Sequence, residues 1–136
     1  MYIGNQDGDV SIYSIDPATG SLNSKGTGAI ALEPTPVAID SSGQFAYVGD
    51  VASNTLLIST IDPTNGALTT TGTVATGSYP GSLSVDISGK FIYVANGNSS
   101  NVSQYTLDPN TGLLTPAGTI AAGNQPISIV TTGRIQ

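Results

Sequence analysis

Asp16-Pro17-Ala18-Thr19-Gly20, Asp62-Pro63-Thr64-Asn65-Gly66 and Asp108-Pro109-Asn110-Thr111-Gly112 are one turn written three times, at intervals of 46 residues. Pro sets φ near its helical value, Asp can accept hydrogen bonds from the backbone two residues on, and Gly supplies the left-handed corner. The same interval separates Gly26-Thr27, Gly72-Thr73 and Gly118-Thr119, and also Pro34, Pro80 and Pro126. Asp40-Ser41-Ser42-Gly43 returns as Asp86-Ile87-Ser88-Gly89, and Phe45-Ala46-Tyr47-Val48 as Phe91-Ile92-Tyr93-Val94. Tyr2-Ile3-Gly4-Asn5 answers Tyr93-Val94-Ala95-Asn96. The 136 residues therefore hold almost three copies of one unit.

Each unit contains four strand signals separated by turns. Strand a alternates Leu83 and Val85 with Ser82 and Ser84, with Val37, Ile39 and Ile127, Ile129 as counterparts, and these apolar residues are expected to form the inward row of the innermost strands. Strand b is Phe91-Ile92-Tyr93-Val94, strand c is Val102 to Leu107 and its copy Val10 to Ile15, and strand d runs from Leu68 to about Val74. Asp-x-Ser-Gly closes the a–b hairpin by placing Gly where φ must be positive. No stretch sustains an apolar period of 3.6. Four strands per repeat of this length indicate an all-β chain, a β-propeller of about three four-stranded blades. The expected organisation is a single partial propeller over 1–136. Its repeats lie at approximately 1–33, 34–79 and 80–125, and a final strand at 126–136 starts a further blade. In this reading Phe45, Phe91, Tyr47 and Tyr93 pack between adjacent blades, and truncating Phe91 to Ala is expected to cost about 3–5 kcal/mol, as for a buried aromatic.

Composition removes several functions. Charged residues are 9% of the chain and the net charge is −6, with only Lys25, Lys90 and Arg134 positive. Nucleic acid is not an expected partner, because sequence-independent binding needs several Lys/Arg–phosphate contacts. No apolar run approaches the roughly 18 residues that cross a membrane, so membrane insertion is not expected. The chain has no Cys and no His, which leaves no disulfide, no thiolate or imidazole metal site and no Ser-His-Asp triad. Gly26-Thr27-Gly28-Ala29-Ile30-Ala31 fits the loose dinucleotide pattern, but it falls at the end of a strand and not before a helix, so no cofactor is expected.

Three weaker signals are candidates for chemistry. Glu33, the only glutamate, stands one residue before Pro34, and its repeat equivalents are Tyr79 and Gln125. All three fall in the d–a crossover loops, which rim one face of a propeller near its axis. There a carboxylate can act as a general base or bind a polar ligand. Asn5, Asp7 and Asp9 place side-chain oxygens at alternate positions, as the first half of a Ca²⁺ loop does, without the later carboxylate that completes one. Asn98-Ser99-Ser100 and Asn101-Val102-Ser103 match the glycosylation sequon.

A Trp-Asp or Gly-Gly/Trp blade signature is missing, since the chain has no Trp. What stands instead is Pro80, then Leu83 to Asn96, Val102-Ser103-Gln104-Tyr105, the Asp-Pro-x-Thr-Gly-x-Leu turn and a Gly-Thr-x-x-x-Gly stretch. These residues resemble the blade of the lactonase-like, YVTN-repeat seven-bladed propellers, and the resemblance runs the length of the chain. It implies a 6-phosphogluconolactonase-like lactone hydrolase, whose working Arg, Lys or His residues would lie in blades outside this chain. The residues themselves point first to a non-catalytic module for binding or assembly. The low-charge, Ser/Thr-rich surface suggests an extracellular or surface structure. Three blades of ordinary twist do not close a ring. The open edges are therefore expected to meet either a second copy of the chain or the remaining blades of a longer one.

Overall fold

The computed structural model of the chain describes residues 1–133, so Arg134 and the end of the expected 126–136 strand lie outside the described residues. Within them the chain is all-β, in three antiparallel sheets with no helix. The first sheet is β1 (Tyr2–Gly4), β2 (Asp9–Ile15) and β3 (Leu22–Ala29). The second is β4 (Pro34–Ile39), β5 (Phe45–Asp50), β6 (Thr55–Ile61) and β7 (Leu68–Ala75). The third is β8 (Pro80–Val85), β9 (Phe91–Asn96), β10 (Asn101–Leu107) and β11 (Leu114–Ala121). In each, consecutive strands are neighbours, which is the meander of a propeller blade. The loose dinucleotide pattern is the end of β3 and the residues after it.

The turns are built by aspartate. Asp40 accepts from the amides of Gln44 (3.0 Å) and Phe45 (2.8 Å), and Gly43 turns the corner at φ +74°. Asp86 does the same for Lys90 and Phe91. In the c–d turns Asp16, Asp62 and Asp108 accept from Ala18, Thr64 and Asn110, at 2.8, 2.8 and 2.9 Å. These bonds hold all five carboxyls below the ordinary aspartate value. At Asp40 and Asp86 burial opposes the charge, but the Ser42 or Ser88 hydroxyl and the loop amides outweigh it.

A single blade cannot bury its apolar faces, so the core lies between blades. Phe45, Tyr47, Leu56 and Ile58 of the second sheet meet Ile92, Val94, Tyr105 and Leu107 of the third. Val10 of the first meets Val48 and Leu57 of the second. Tyrosine hydroxyls tie the junctions: Tyr2 donates to the Gly66 carbonyl (2.8 Å) and Tyr47 to that of Gly112 (3.0 Å), the same repeat position one blade on. Tyr105 reaches back to the Ala75 carbonyl at 2.6 Å. Burial raises the Tyr47 hydroxyl well above its ordinary value, with the Asp40 charge adding to it. Gly112 is required twice over: its φ is +72°, and a Cβ there would stand 2.4 Å from the Phe45 ring.

Two packing expectations need correction. Phe45 is 7% exposed, but Phe91 is 39% exposed and Tyr93 only half-buried. Their side of β9 faces away from the second sheet, and no further sheet covers it among the described residues. Ile127 is 82% exposed and does not join an inward row. The 46-residue interval puts Ile129, not Ile127, at the Leu83 position, and Ile129 is half-buried. The segment from Pro126 to Val130 forms no ladder; it runs beside β8, with the Ile129 and Thr131 amides bonded to the Ser82 and Ser84 hydroxyls at 3.1 and 3.2 Å.

Truncation of Phe45 to Ala is expected to lower unfolding stability by about 3–5 kcal/mol, while Phe91→Ala in the isolated single chain costs less than half of that; urea denaturation of both variants measures the difference. Each turn carboxyl sits below its unfolded value of about 3.9, so the unfolded chain takes up more protons as pH falls. Stability is therefore intact above about pH 4 and falls as the pH drops through the lower, folded-state values. Circular dichroism across an acid titration reads this, and Asp40→Asn should flatten the loss.

Candidate functional site

The site expected from sequence lies in the crossovers that leave one sheet and enter the next. Glu33 stands between β3 and β4, Tyr79 between β7 and β8, and Gln125 after β11. Each is exposed and each is followed by proline. Their placement is dictated by the end of strand b and by the b–c turn. The Glu33 amide donates to Asp50 (2.9 Å) and the Val51 amide returns a bond to the Glu33 carbonyl (3.1 Å). One repeat on, the Asn96 side-chain oxygen accepts from the Gly77 amide at 3.1 Å, and the Gly97 amide donates to the Tyr79 carbonyl at 2.8 Å. The Asn54 and Ser100 side chains, at equivalent b–c positions, accept from the amides of Tyr79 (2.8 Å) and Gln125 (3.4 Å).

The two residues whose amides bond the Asn54 and Ser100 side chains have an unusual backbone. Tyr79 and Gln125 have φ of +61° and +50°, a left-handed conformation that costs a non-glycine residue roughly 1–2 kcal/mol. The result turns these side chains onto a common rim. Gln6, Glu33, Thr35, Val51 and Tyr79 enclose a pocket of about 260 Å³. Tyr79, Gly97, Asn98, Gln125 and Ile127 enclose another of about 240 Å³. The two are one site repeated, with Tyr79 as the shared wall. Among the described residues no side chain bonds the Glu33 carboxylate. Lys90 stands in the a–b turn at the far end of β9, and Lys25 lies within β3, so neither serves this face.

Among the other candidates the fold engages some side chains and leaves others exposed. The Asn5 amide donates to Asp9 (2.5 Å) and Ser11 (2.8 Å), fastening the β1–β2 hairpin, while Asp7 is at the exposed tip. Among the described residues no cluster of acidic groups could hold a metal ion. Asn101 accepts from Asn96 at 2.8 Å, whereas Asn98 is exposed on the wall of the second pocket. A larger cavity, about 570 Å³, lies between the first two sheets and is lined by Ile30, Leu32, Asp50, Ser53 and Leu57 among others. Its acid is already engaged, with Asp50 accepting from Ser53 at 2.7 Å as well as from Glu33. Burial opposes the Asp50 charge, yet the Ser53 hydroxyl and the amides of Glu33, Leu32 and Ala52 outweigh it and depress the carboxyl. The crossover pocket lined by Glu33 is thus the better candidate, since it holds a carboxylate that no side chain of the described residues bonds.

Sequence reading missed the residue that ends strand b. Asn5, Asp50 and Asn96 occupy it, and Asn96 is fully buried, bonding Asn101 and Ser103 (2.9 Å) while it holds the crossover. The signal was a polar residue closing an apolar strand in every repeat.

This geometry of meandering sheets with a crossover rim is that of a propeller blade array, and comparison with known proteins specifies which. The family model described as "Lactonase, 7-bladed beta-propeller" matches residues 29–131, and the chain belongs to that family. Among solved structures it is similar to a candidate 6-phosphogluconolactonase of Bacteroides fragilis, at 25% identity and a TM-score of 0.82, over 93% of this chain and 37% of that one. A similar candidate from Bacteroides uniformis matches at 24% identity and a TM-score of 0.81, over 93% of this chain and 38% of that one. The periplasmic gluconolactonase of Pseudomonas aeruginosa matches at 22% and 0.73, over 88% of this chain and 35% of that one. The chain thus spans little more than a third of the length of these structures. No curated protein matches it.

Replacing Asn96 by Ala leaves the Gly77 amide and the Ser103 hydroxyl without their partner. Its expected cost is about 1–3 kcal/mol, with faster amide exchange at Gly77 than in the parent chain; denaturation and hydrogen exchange measure the two effects.

Proposed function

We propose that the chain is part of a sugar-lactone hydrolase and that its crossover face carries part of the substrate site. The observation that carries this reading is the pocket in which Glu33, the one free carboxylate of the rim, faces Tyr79 and Gln6. Family membership and the lactonase-like neighbours support it over a non-catalytic module. In this mechanism Glu33 takes a proton from water as the water oxygen bonds to the lactone carbonyl carbon. The tetrahedral adduct then breaks its bond to the ring oxygen, which leaves with the proton returned from Glu33. Gln6, Thr35 and Tyr79 offer an amide and two hydroxyls to the sugar hydroxyls. No Lys or Arg of the described residues stands on this face, so the substrate held here is an uncharged lactone, and a phosphate group would need cations from elsewhere. The competing reading, a binding or assembly module of an extracellular structure, is favoured by the low charge and by the lack of His and Cys.

Hydrolysis of glucono-δ-lactone followed by pH-stat separates them. The expected result is turnover above the spontaneous rate, reduced about 10²-fold in kcat by Glu33→Gln with a smaller change in KM, in keeping with loss of a general base. A rate equal to the spontaneous one overturns the hydrolase reading and leaves the module.

A further inference from the structure

The junction between the first and second sheets is a copy of the one between the second and third, with several side chains exchanged. In the later junction Tyr105 of β10 reaches back across the gap, joins a cluster that includes Val74, and donates to the Ala75 carbonyl at 2.6 Å. The 46-residue interval puts Ser59 at the Tyr105 position and Gly28 at the Val74 position. Ser59 is fully buried, and its hydroxyl bonds Thr70 of its own sheet at 3.3 Å. A Cβ at Gly28 would meet nothing within 4 Å. Two groups that fill the later junction from opposite sides are thus replaced by small ones in the earlier. The cavity there is about 570 Å³, against about 210 Å³ where Tyr105 forms a wall.

The lining changes along with the size. Ile30, Leu32 and Leu57 line the larger cavity at positions where the next repeat has Thr76, Ser78 and Ser103. Leu32 is 70% exposed, although its place in the repeat accepts serine. Leu57 takes up part of the volume by packing with Val10 and Val48, but it supplies neither a ring nor a hydroxyl. Ala29 holds the place of Ala75 and lines the cavity. Among the described residues no side chain donates to its carbonyl as Tyr105 does to that of Ala75. The polar wall is already paired, with Ser53 bonded to Asp50 and to Thr55, each at 2.7 Å. An apolar lining with a few fixed polar groups, in a cavity of about 300–1,000 Å³, is the usual make-up of a small-molecule site.

We propose that this cavity binds a neutral phenol, an aromatic ring bearing one hydroxyl donor. The ring lies between Gly28 and Leu57, in the space that Tyr105 takes one junction on, and its hydroxyl donates to the Ala29 carbonyl. The molecule supplies the precedent itself, since the Tyr105 side chain is such a group on the equivalent backbone acceptor. Charge selects the neutral form, because a phenolate would face a carbonyl oxygen and the Asp50 carboxylate. The walls come from strands c and d and the crossover of two adjoining blades. Glu33 lines a different pocket, so the site stands whether or not the hydrolase reading holds.

The probe is p-cresol, the tyrosine side chain as a free molecule. Titrated into the purified protein and followed by methyl-resolved NMR, it should bind saturably at one site with a Kd of about 1 mM, the scale open to so small a ligand. The Ile30 and Leu57 methyl resonances should shift, while the Tyr79 ring resonances stay in place. Toluene, which lacks the donor, should bind about fivefold more weakly, as for the loss of one neutral hydrogen bond. Ser59→Tyr fills the site from within, so p-cresol affinity should fall by about tenfold or more with the β-sheet spectrum retained. Gly28→Val, which installs the second blade's residue on the facing sheet, blocks the site independently should the tyrosine variant fail to fold, and it should lower affinity by about threefold or more. No saturation up to about 10 mM, shifts centred on Tyr79, equal binding of toluene, or parent-like affinity in a folded variant would overturn the proposal.

Discussion

Apolar packing between neighbouring sheets is the constraint on which the rest of this molecule depends. A four-stranded meander has two faces, and the alternation of side chains sends apolar groups to both, so no blade is stable without neighbours. Tyr47 shows how the junction is specified as well as stabilised. Its ring is fully buried between the second and third sheets, and its hydroxyl must find an acceptor there. The carbonyl of Gly112 is that acceptor, brought into range only when the c–d turn of the next blade is correctly seated. The absence of a side chain at Gly112 leaves room for Phe45. One turn, therefore, joins the local geometry of a hairpin to the registry of two sheets.

The same economy governs the crossover face. The polar residue closing strand b, Asn96 or Asp50, is buried, and a buried polar group must be satisfied. It is satisfied by the backbone of the crossover loop, which is thereby held rigid and turned outward. The left-handed backbone occurs at Tyr79 and Gln125, whose amides bond the Asn54 and Ser100 side chains of the b–c turn. Rigid loops on a rigid scaffold are where binding groups are best placed. Here they set Glu33 and Tyr79 on the walls of one pocket and Tyr79 and Gln125 on the walls of the next. Apart from Glu33, the residues lining the two pockets are uncharged.

Much of this was legible from residue order alone, because a repeat states its rules several times. The three Asp-Pro-x-x-Gly turns and the Asp-x-Ser-Gly hairpins announced the strand count, the sheet type and the blade architecture. Local chemistry suffices there, since an Asp oxygen, a Pro ring and a Gly corner act within five residues. The crossover position of Glu33, Tyr79 and Gln125 was also legible, because equivalent positions in equivalent blades must share a face.

Other features were decided only by tertiary structure. Phe45 and Phe91 hold the same place in the repeat, yet one is buried and the other bare, because burial depends on whether another sheet lies beyond the strand. Asn5, Asp7 and Asp9 spell half of a cation loop in one dimension, but in three the Asn5 amide turns to Asp9 and fastens a hairpin. Sequence determined the blade, since its turns and alternation are short-range physics. The packing of blade on blade determined which of its residues form a core, which form a rim and which stay exposed, since those contacts join residues of different repeats.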